Sequence, residues 1–189
     1  MSTAAARQLR RFTTPEYEQM VAAGVFAERG RVELFEGEII EMAAMGLAHA
    51  TCLNNLDYLL KRQVPDEYRV NVQVPILLDD ASEPEPDLVV YRRRKRTTHP
   101  TPGEILLVVE VADRSLEYDR NRKFPRYAAA GIPEAWLFDV FAGVLERHTD
   151  PDAGRYRQVT TARNGETLPS TVLPDLLLAV AAILADDEE

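Results

Sequence analysis

Apolar residues recur along this chain with two different periods. Over residues 48–63 they fall at Leu53, Leu56, Leu59 and Leu60, one stripe on a helix. Over 68–78 they alternate instead: Val70, Val72 and Val74 are interleaved with Arg69, Asn71 and Gln73, which predicts a strand. Two further runs, 87–92 and 105–111, are almost wholly apolar. Strands of that kind have both faces covered and belong at the centre of a sheet. Shorter signals fill in the rest. Residues 14–23 read as a helix capped by Thr14, opened by Pro15 and ended by Gly24. The stretch RVELFEGEIIEM (31–42) reads as a hairpin turning at Glu36-Gly37. After 111 a helix is expected to run to Ala130, with Gly131 just past its end. A strand at 135–139, two edge strands at 144–148 and 156–162, and a closing helix at 175–185 complete the order. The expectation is an α/β fold with a mixed central sheet flanked by helices.

The chain has 189 residues, enough for one domain with its core over about 30–165. Its longest apolar run, Leu176 to Ala185, is too short to cross a bilayer, so no membrane association is expected. The opening MSTAAARQLRRF has no apolar h-region, and Cys52 has no second cysteine to pair with. Both features favour the cytoplasm. The net charge of −9 argues against a protein that coats nucleic acid, because phosphate contacts need Lys and Arg. It leaves room for a local basic groove. Part of the acidity sits in the tail Asp186-Asp187-Glu188-Glu189.

The chemistry concentrates where the two apolar strands begin and end. If 87–92 and 105–111 form an antiparallel pair, residue numbers summing to 197 oppose Asp87 to Glu110, Leu88 to Val109, Val90 to Leu107 and Arg92 to Ile105. Opposed residues share a face, about 5 Å apart at Cβ. Two carboxylates so placed in an apolar sheet repel, and either one keeps a proton or a cation sits between them. A hard ion such as Mg2+ takes one or two carboxylates and keeps several waters, which suits hydrolysis at phosphorus. Further on, Asp119, Lys123 and Tyr127 lie at i, i+4 and i+8, on one helix face. A turn at 113–115 would lead that helix back along the sheet and bring Lys123 to the acids, to orient water or meet charge on a phosphate. Pro125 predicts a kink or a late start for the regular helix.

Taken together, "RVELFEGEIIEM", "HATCLNNLDYLL", "EPDLVVY", "LLVVEVADRSLEYDRNRKFPRYAAAGIPEAWLFD" and "VLERH" resemble the Uma-two family of the PD-(D/E)XK nuclease superfamily. The resemblance covers roughly residues 12–180. It implies a restriction-endonuclease-like αβββαβ core with an N-terminal hairpin and C-terminal additions. It also implies a metal-dependent endonuclease acting on DNA with Mg2+ or Mn2+. The motif aspartate maps onto Asp87 and the motif glutamate onto Glu110. Position 112 is Ala, so the usual lysine two residues on is absent, and the helix lysine of the family maps onto Lys123. The carbonyl of Val111 would complete the coordination, and the hairpin glutamate maps onto Glu33. The family and the apolar edge elements suggest a homodimer. The other reading of the chain is a catalytically inactive nuclease-fold scaffold that binds nucleic acid or protein partners.

Plainer roles compete at several positions. Asp87 also fits a strand-start cap, and Glu110 a structural ion pair with Lys123 or Arg114. Lys123 could be one solvated cation among Arg120, Arg122 and Arg126. Tyr127 fits packing, Glu33 a hairpin surface, and Asp119 a partner of Lys123. The run Arg92-Arg93-Arg94-Lys95-Arg96 begins about 17 Å along the strand from Asp87, and reads as a solvated loop or a remote phosphate contact. His49, His99 and His148 lack zinc spacing. His49 is read as the start of a helix, and Cys52 and Trp136 as core.

Overall fold

The computed structural model describes residues 9–95 and 98–185. Arg96 of the basic run, the first eight residues and the tail 186–189 lie outside the described residues. A six-stranded sheet runs in the order β3-β4-β5-β6-β7-β8. Its strands are β3 (Tyr68–Val72), β4 (Leu88–Arg92), β5 (Ile105–Ala112), β6 (Glu134–Asp139), β7 (Val144–Asp152) and β8 (Arg155–Arg163). Among the described residues, only β5 and β6 pair in parallel. A parallel pair needs a crossover, and here it is a helical segment packed on one face. The sheet is therefore mixed, and its apolar central strands β4, β5 and β6 are buried, as their sequences require.

Alternation along these strands divides the core in two. Leu88, Val90, Leu107, Val109 and Trp136 point to one face, where Leu53, Leu56 and Leu60 of α2 (Leu47–Gln63) cover them. Val89, Val108, Ala135 and Leu137 point to the other, under Phe124 and Tyr127 of α4 (Phe124–Ala129). Asp87 and Glu110 lie two residues from Val89 and Val108, so they belong to the α4 face.

The β4–β5 register follows the predicted sum at Leu88↔Val109 and Val90↔Leu107, then slips at a bulge, so that Tyr91 and not Arg92 meets Ile105. Asp87 sits just before the strand. β3 stops at Val72, short of the predicted 78. Gln73 adopts a left-handed backbone (φ 50) and Pro75 has no N–H for a ladder. The closing helix expected over 175–185 is mostly something else. Leu177–Ala179 forms β10, paired with β9 (Thr167–Pro169), and only Val180–Ile183 is helical, as α5. A short apolar run does not by itself separate a strand from a buried helix. The first helix, α1 (Thr14–Ala22), is capped by Thr13, whose N–H donates to the Glu16 carboxylate at 3.0 Å, and not by Thr14. Of the two predicted edge strands, β7 is internal and β8 is the edge.

The crossover segment carries the main surprise. After α3 (Leu116–Tyr118), residues Asp119–Lys123 form a π-turn, and the Phe124 N–H donates to the Asp119 carbonyl five residues back. Pro125 explains the wide turn. It has no N–H for the Asn121 carbonyl, and its ring would clash there in a regular helix. Widening the turn by one residue removes the conflict, and Pro125 then falls in the first turn of α4, where its missing N–H costs little.

The hairpin pairs β1 (Val32–Phe35) with β2 (Glu38–Glu41) through a two-residue turn, Glu36 (φ 52) and Gly37 (φ 77). Two successive positive φ values define the type I′ turn that suits the twist of a hairpin. The hairpin lies along the 81–85 segment: the Glu83 N–H donates to the Leu34 carbonyl at 2.8 Å and the Gly37 N–H to the Ala81 carbonyl at 2.7 Å. A Cβ on Gly37 would stand 2.6 Å from the Arg11 Cβ. Gly37→Ala is therefore expected to cost about 1–3 kcal/mol, read as a lower midpoint of thermal unfolding. An unchanged midpoint would show that the hairpin does not depend on this turn.

Among the described residues, no helix is long and apolar enough to cross a membrane.

Candidate active site

Glu110 lies inside β5 between Val109 and Val111, buried under α4. An isolated carboxylate there would be costly, and the fold surrounds it with donors. The Tyr127 hydroxyl donates to its Oε1 at 2.6 Å, and the Lys123 ammonium stands 3.3 Å from the same oxygen. The π-turn and the first turn of α4 set Asp119, Lys123 and Tyr127 on the one buried face. Lys123 also lies 3.3 Å from Glu33 Oε2, because the β1–β2 hairpin folds over this end of the sheet. Glu33 accepts from the Glu85 backbone N–H at 3.0 Å and meets the Tyr118 hydroxyl at 3.5 Å.

Asp87 is held by three groups. The Val111 N–H donates to Oδ2 at 2.9 Å, while His49 Nε2 at 3.2 Å and Gln73 Nε2 at 3.3 Å bracket Oδ1. Asp119 accepts from the Ser115 hydroxyl at 2.5 Å. None of Glu33, Asp87, Glu110, Asp119 and Lys123 is more than 7% exposed. They face a cavity of about 240 Å³, also lined by Ile40, Met42, Ala43, Ala44 and Met45.

All six side chains singled out in the sequence thus meet at one place, together with the backbone of Val111. Sequence reasoning missed His49, Gln73 and Tyr118. His49 lies 38 residues from its partner and Gln73 14 residues from it, and no local period marks either. The basic run stays apart. Arg92, the last residue of β4, and Arg93 to Lys95 after it are exposed at the far end of the strand, with Arg92 over the Tyr68 ring and Arg94 paired to Glu104. Cys52 and Trp136 are core, and His148 pairs with Glu146 at 2.9 Å.

Four carboxylates surround one ammonium, and the titration of the group follows from that imbalance. Burial pushes Glu110 well above the usual carboxylate range, against the pull of Lys123, and the nearby Asp119 and Asp87 push the same way. Burial likewise lifts Asp119 to about 6. Asp87 behaves differently. Burial opposes its charge, but the His49 hydrogen bond and the Val111 N–H outweigh it and hold its pKa below the ordinary value. The acids around Lys123 outweigh its own burial and keep it charged.

Among the described residues, no three His, Cys, Asp or Glu side chains form a ready-made metal cage. The donor set nevertheless fits a hard divalent ion, which needs only one or two carboxylates and keeps its waters. Asp87 and Glu110 would be those two. The Val111 carbonyl would be a third oxygen. Its N–H faces β4 and donates to Asp87, so its carbonyl faces the same way. Continued two residues beyond its end pair Leu88↔Val109, the β4–β5 register would set Pro86 opposite Val111, and proline has no N–H to offer that carbonyl.

A mixed sheet whose central strands bring two acids to a helix lysine under a β-hairpin defines a nuclease-fold protein of the restriction-endonuclease-like class. The chain belongs to the Uma2 family, described as "Putative restriction endonuclease", whose profile matches residues 14–181. Among solved structures it is similar to a protein from Anabaena variabilis described as "a putative nuclease belonging to DUF820". The TM-score is 0.68 at 13% sequence identity, covering 92% of this chain and 97% of that one. No curated protein matches the chain.

Proposed function

We propose that this protein is a metal-dependent endonuclease that hydrolyses phosphodiester bonds, with DNA as its substrate. One observation carries the reading: a buried lysine, 3.3 Å from each of Glu33 and Glu110, on the sheet face that also presents Asp87. The family and the fold support it. Asp87, Glu110 and the Val111 carbonyl would hold Mg2+ or Mn2+. When bound, such an ion polarises a phosphoryl oxygen and lowers the pKa of a bound water.

The chain's own groups have distinct tasks. Lys123 presents fixed positive charge where negative charge develops on the phosphate, and can hold the attacking water by hydrogen bonding. Glu33 and Tyr127 fix the lysine and the Glu110 carboxylate from opposite sides, so neither has to reorganise during the reaction. His49, Gln73 and the Val111 N–H do the same for Asp87. Met42 and Met45 line the cavity beside the acids with apolar surface, and charge interactions inside strengthen to the extent that a bound substrate expels water from it.

DNA incubated with Mg2+ or Mn2+, as a single-stranded circle and as a supercoiled plasmid, is expected to be cut in at least one of the two forms, and chelation to stop the cutting. Asp87→Asn or Lys123→Ala is expected to slow it by about a hundredfold or more. Divalent ions are also expected to raise the unfolding midpoint of the wild-type protein and not that of Asp87→Asn. If the ions change neither the midpoint nor either form of the DNA, the chain is a scaffold that has kept the fold without the reaction.

A further inference from the structure

We infer that this site admits a single nucleic-acid strand, one unstacked nucleotide at a time, and not the flank of an intact duplex. The inference rests on the nuclease reading above. Depth is the first observation. The four acids and Lys123 are at most 7% exposed, at the bottom of a cavity of about 240 Å³. That is below the roughly 300–1,000 Å³ of pockets that enclose drug-sized ligands. The phosphates of a duplex lie on the outside of a rod whose bases are stacked and paired. Such a rod touches groups near a protein surface and cannot send one phosphate into so small a recess. A single strand can, because its nucleotides splay apart.

The walls give the second observation. The hairpin and the stretch after it line the opening with Ile40, Met42, Ala43, Ala44 and Met45. Methionine packs well against planar rings, which suits an exposed base. Tracking a duplex takes many cations. Besides Lys123, the described lining of the cavity offers Arg31, tied to Glu85 at 2.6 Å, Arg114 and His49, against the six acids Glu33, Glu41, Asp87, Glu110, Asp113 and Asp119.

Continuity is the third. Arg31 also lines a neighbouring cavity of about 590 Å³ under α1, where the rings of Tyr17 and Phe26 stand 5.9 Å apart. A strand leaving the acids passes into this second cavity and meets the part-exposed Phe26 ring, which the buried Tyr17 backs. Base stacking on an aromatic side chain tolerates any sequence.

The test compares one labelled oligonucleotide, single-stranded and annealed to its complement. Cleavage is followed in Mn2+, and binding by fluorescence anisotropy in Ca2+. The single strand is expected to be cut and bound at least tenfold better than the duplex, and Phe26→Ala to weaken single-strand binding by about tenfold. Equal or better binding and cleavage of the duplex overturns the inference, and so does binding of neither form. Preferential binding of the single strand with no cleavage of either form keeps this inference and removes the hydrolytic one.

Discussion

Replacing Lys123 by methionine is expected to destabilise the protein by about 3–5 kcal/mol, the cost of leaving buried charge without its partner. For a chain of this size that is a fall of about 6–20 °C in the unfolding midpoint. The reason lies in the count of charges. Lys123 is the cation at 3.3 Å from both Glu33 and Glu110, and all three are almost fully buried. The loss is also expected to depend on pH. Burial already lifts Glu110, and the ammonium is the strongest influence holding it down. Without Lys123 the folded-state pKa rises further. A group raised in the folded state contributes stability below its unfolded pKa and loses it as pH rises through the folded value. The deficit of the variant is therefore expected to be small near pH 5 and to grow towards pH 8, measured as thermal midpoints across that range. A deficit independent of pH would mean that Lys123 matters for packing and not for charge.

Glu110→Gln is expected to do the opposite to stability while removing activity. The wild-type carboxyl is raised by burial first and by Asp119 and Asp87 after that, so at neutral pH its ionisation works against the fold. A glutamine keeps the shape and an oxygen for the Tyr127 hydroxyl, which donates at 2.6 Å in the wild type. Lys123 keeps Glu33 at 3.3 Å. The metal-free variant is expected to melt at the wild-type temperature or a few degrees above it. Its response to Mg2+ or Mn2+ is expected to vanish, and its nicking to fall by about a hundredfold or more. A midpoint many degrees lower would show that Glu110 is a structural member of an ion pair.

These two side chains also show what the sequence makes legible. Glu110 stands out because it interrupts an apolar strand, and strand periodicity alone then puts Asp87 on its face. Lys123 stands out because helical spacing joins it to Asp119 and Tyr127. Where physical signals are local and periodic, they are readable. The bulge that moves Ile105 from Arg92 to Tyr91 leaves no such trace. Neither does the left-handed Gln73, which ends β3 and turns an amide towards Asp87. His49 looks like an ordinary residue in the first turn of a helix, because its partner arrives from another part of the chain. The C-terminal run of leucines and alanines is ambiguous for a different reason. Its helix or strand state is decided by the β9 edge it meets, not by its own composition.

The wide turn at Asp119–Lys123 holds one more residue than an ordinary helix would need to span the same distance. Deleting one residue there would restore an ordinary helix between the same two flanks, and the Pro125 ring would then meet the carbonyl four positions before it. In descent the extra residue and the proline are therefore expected to be gained or lost together, because neither is tolerated without the other.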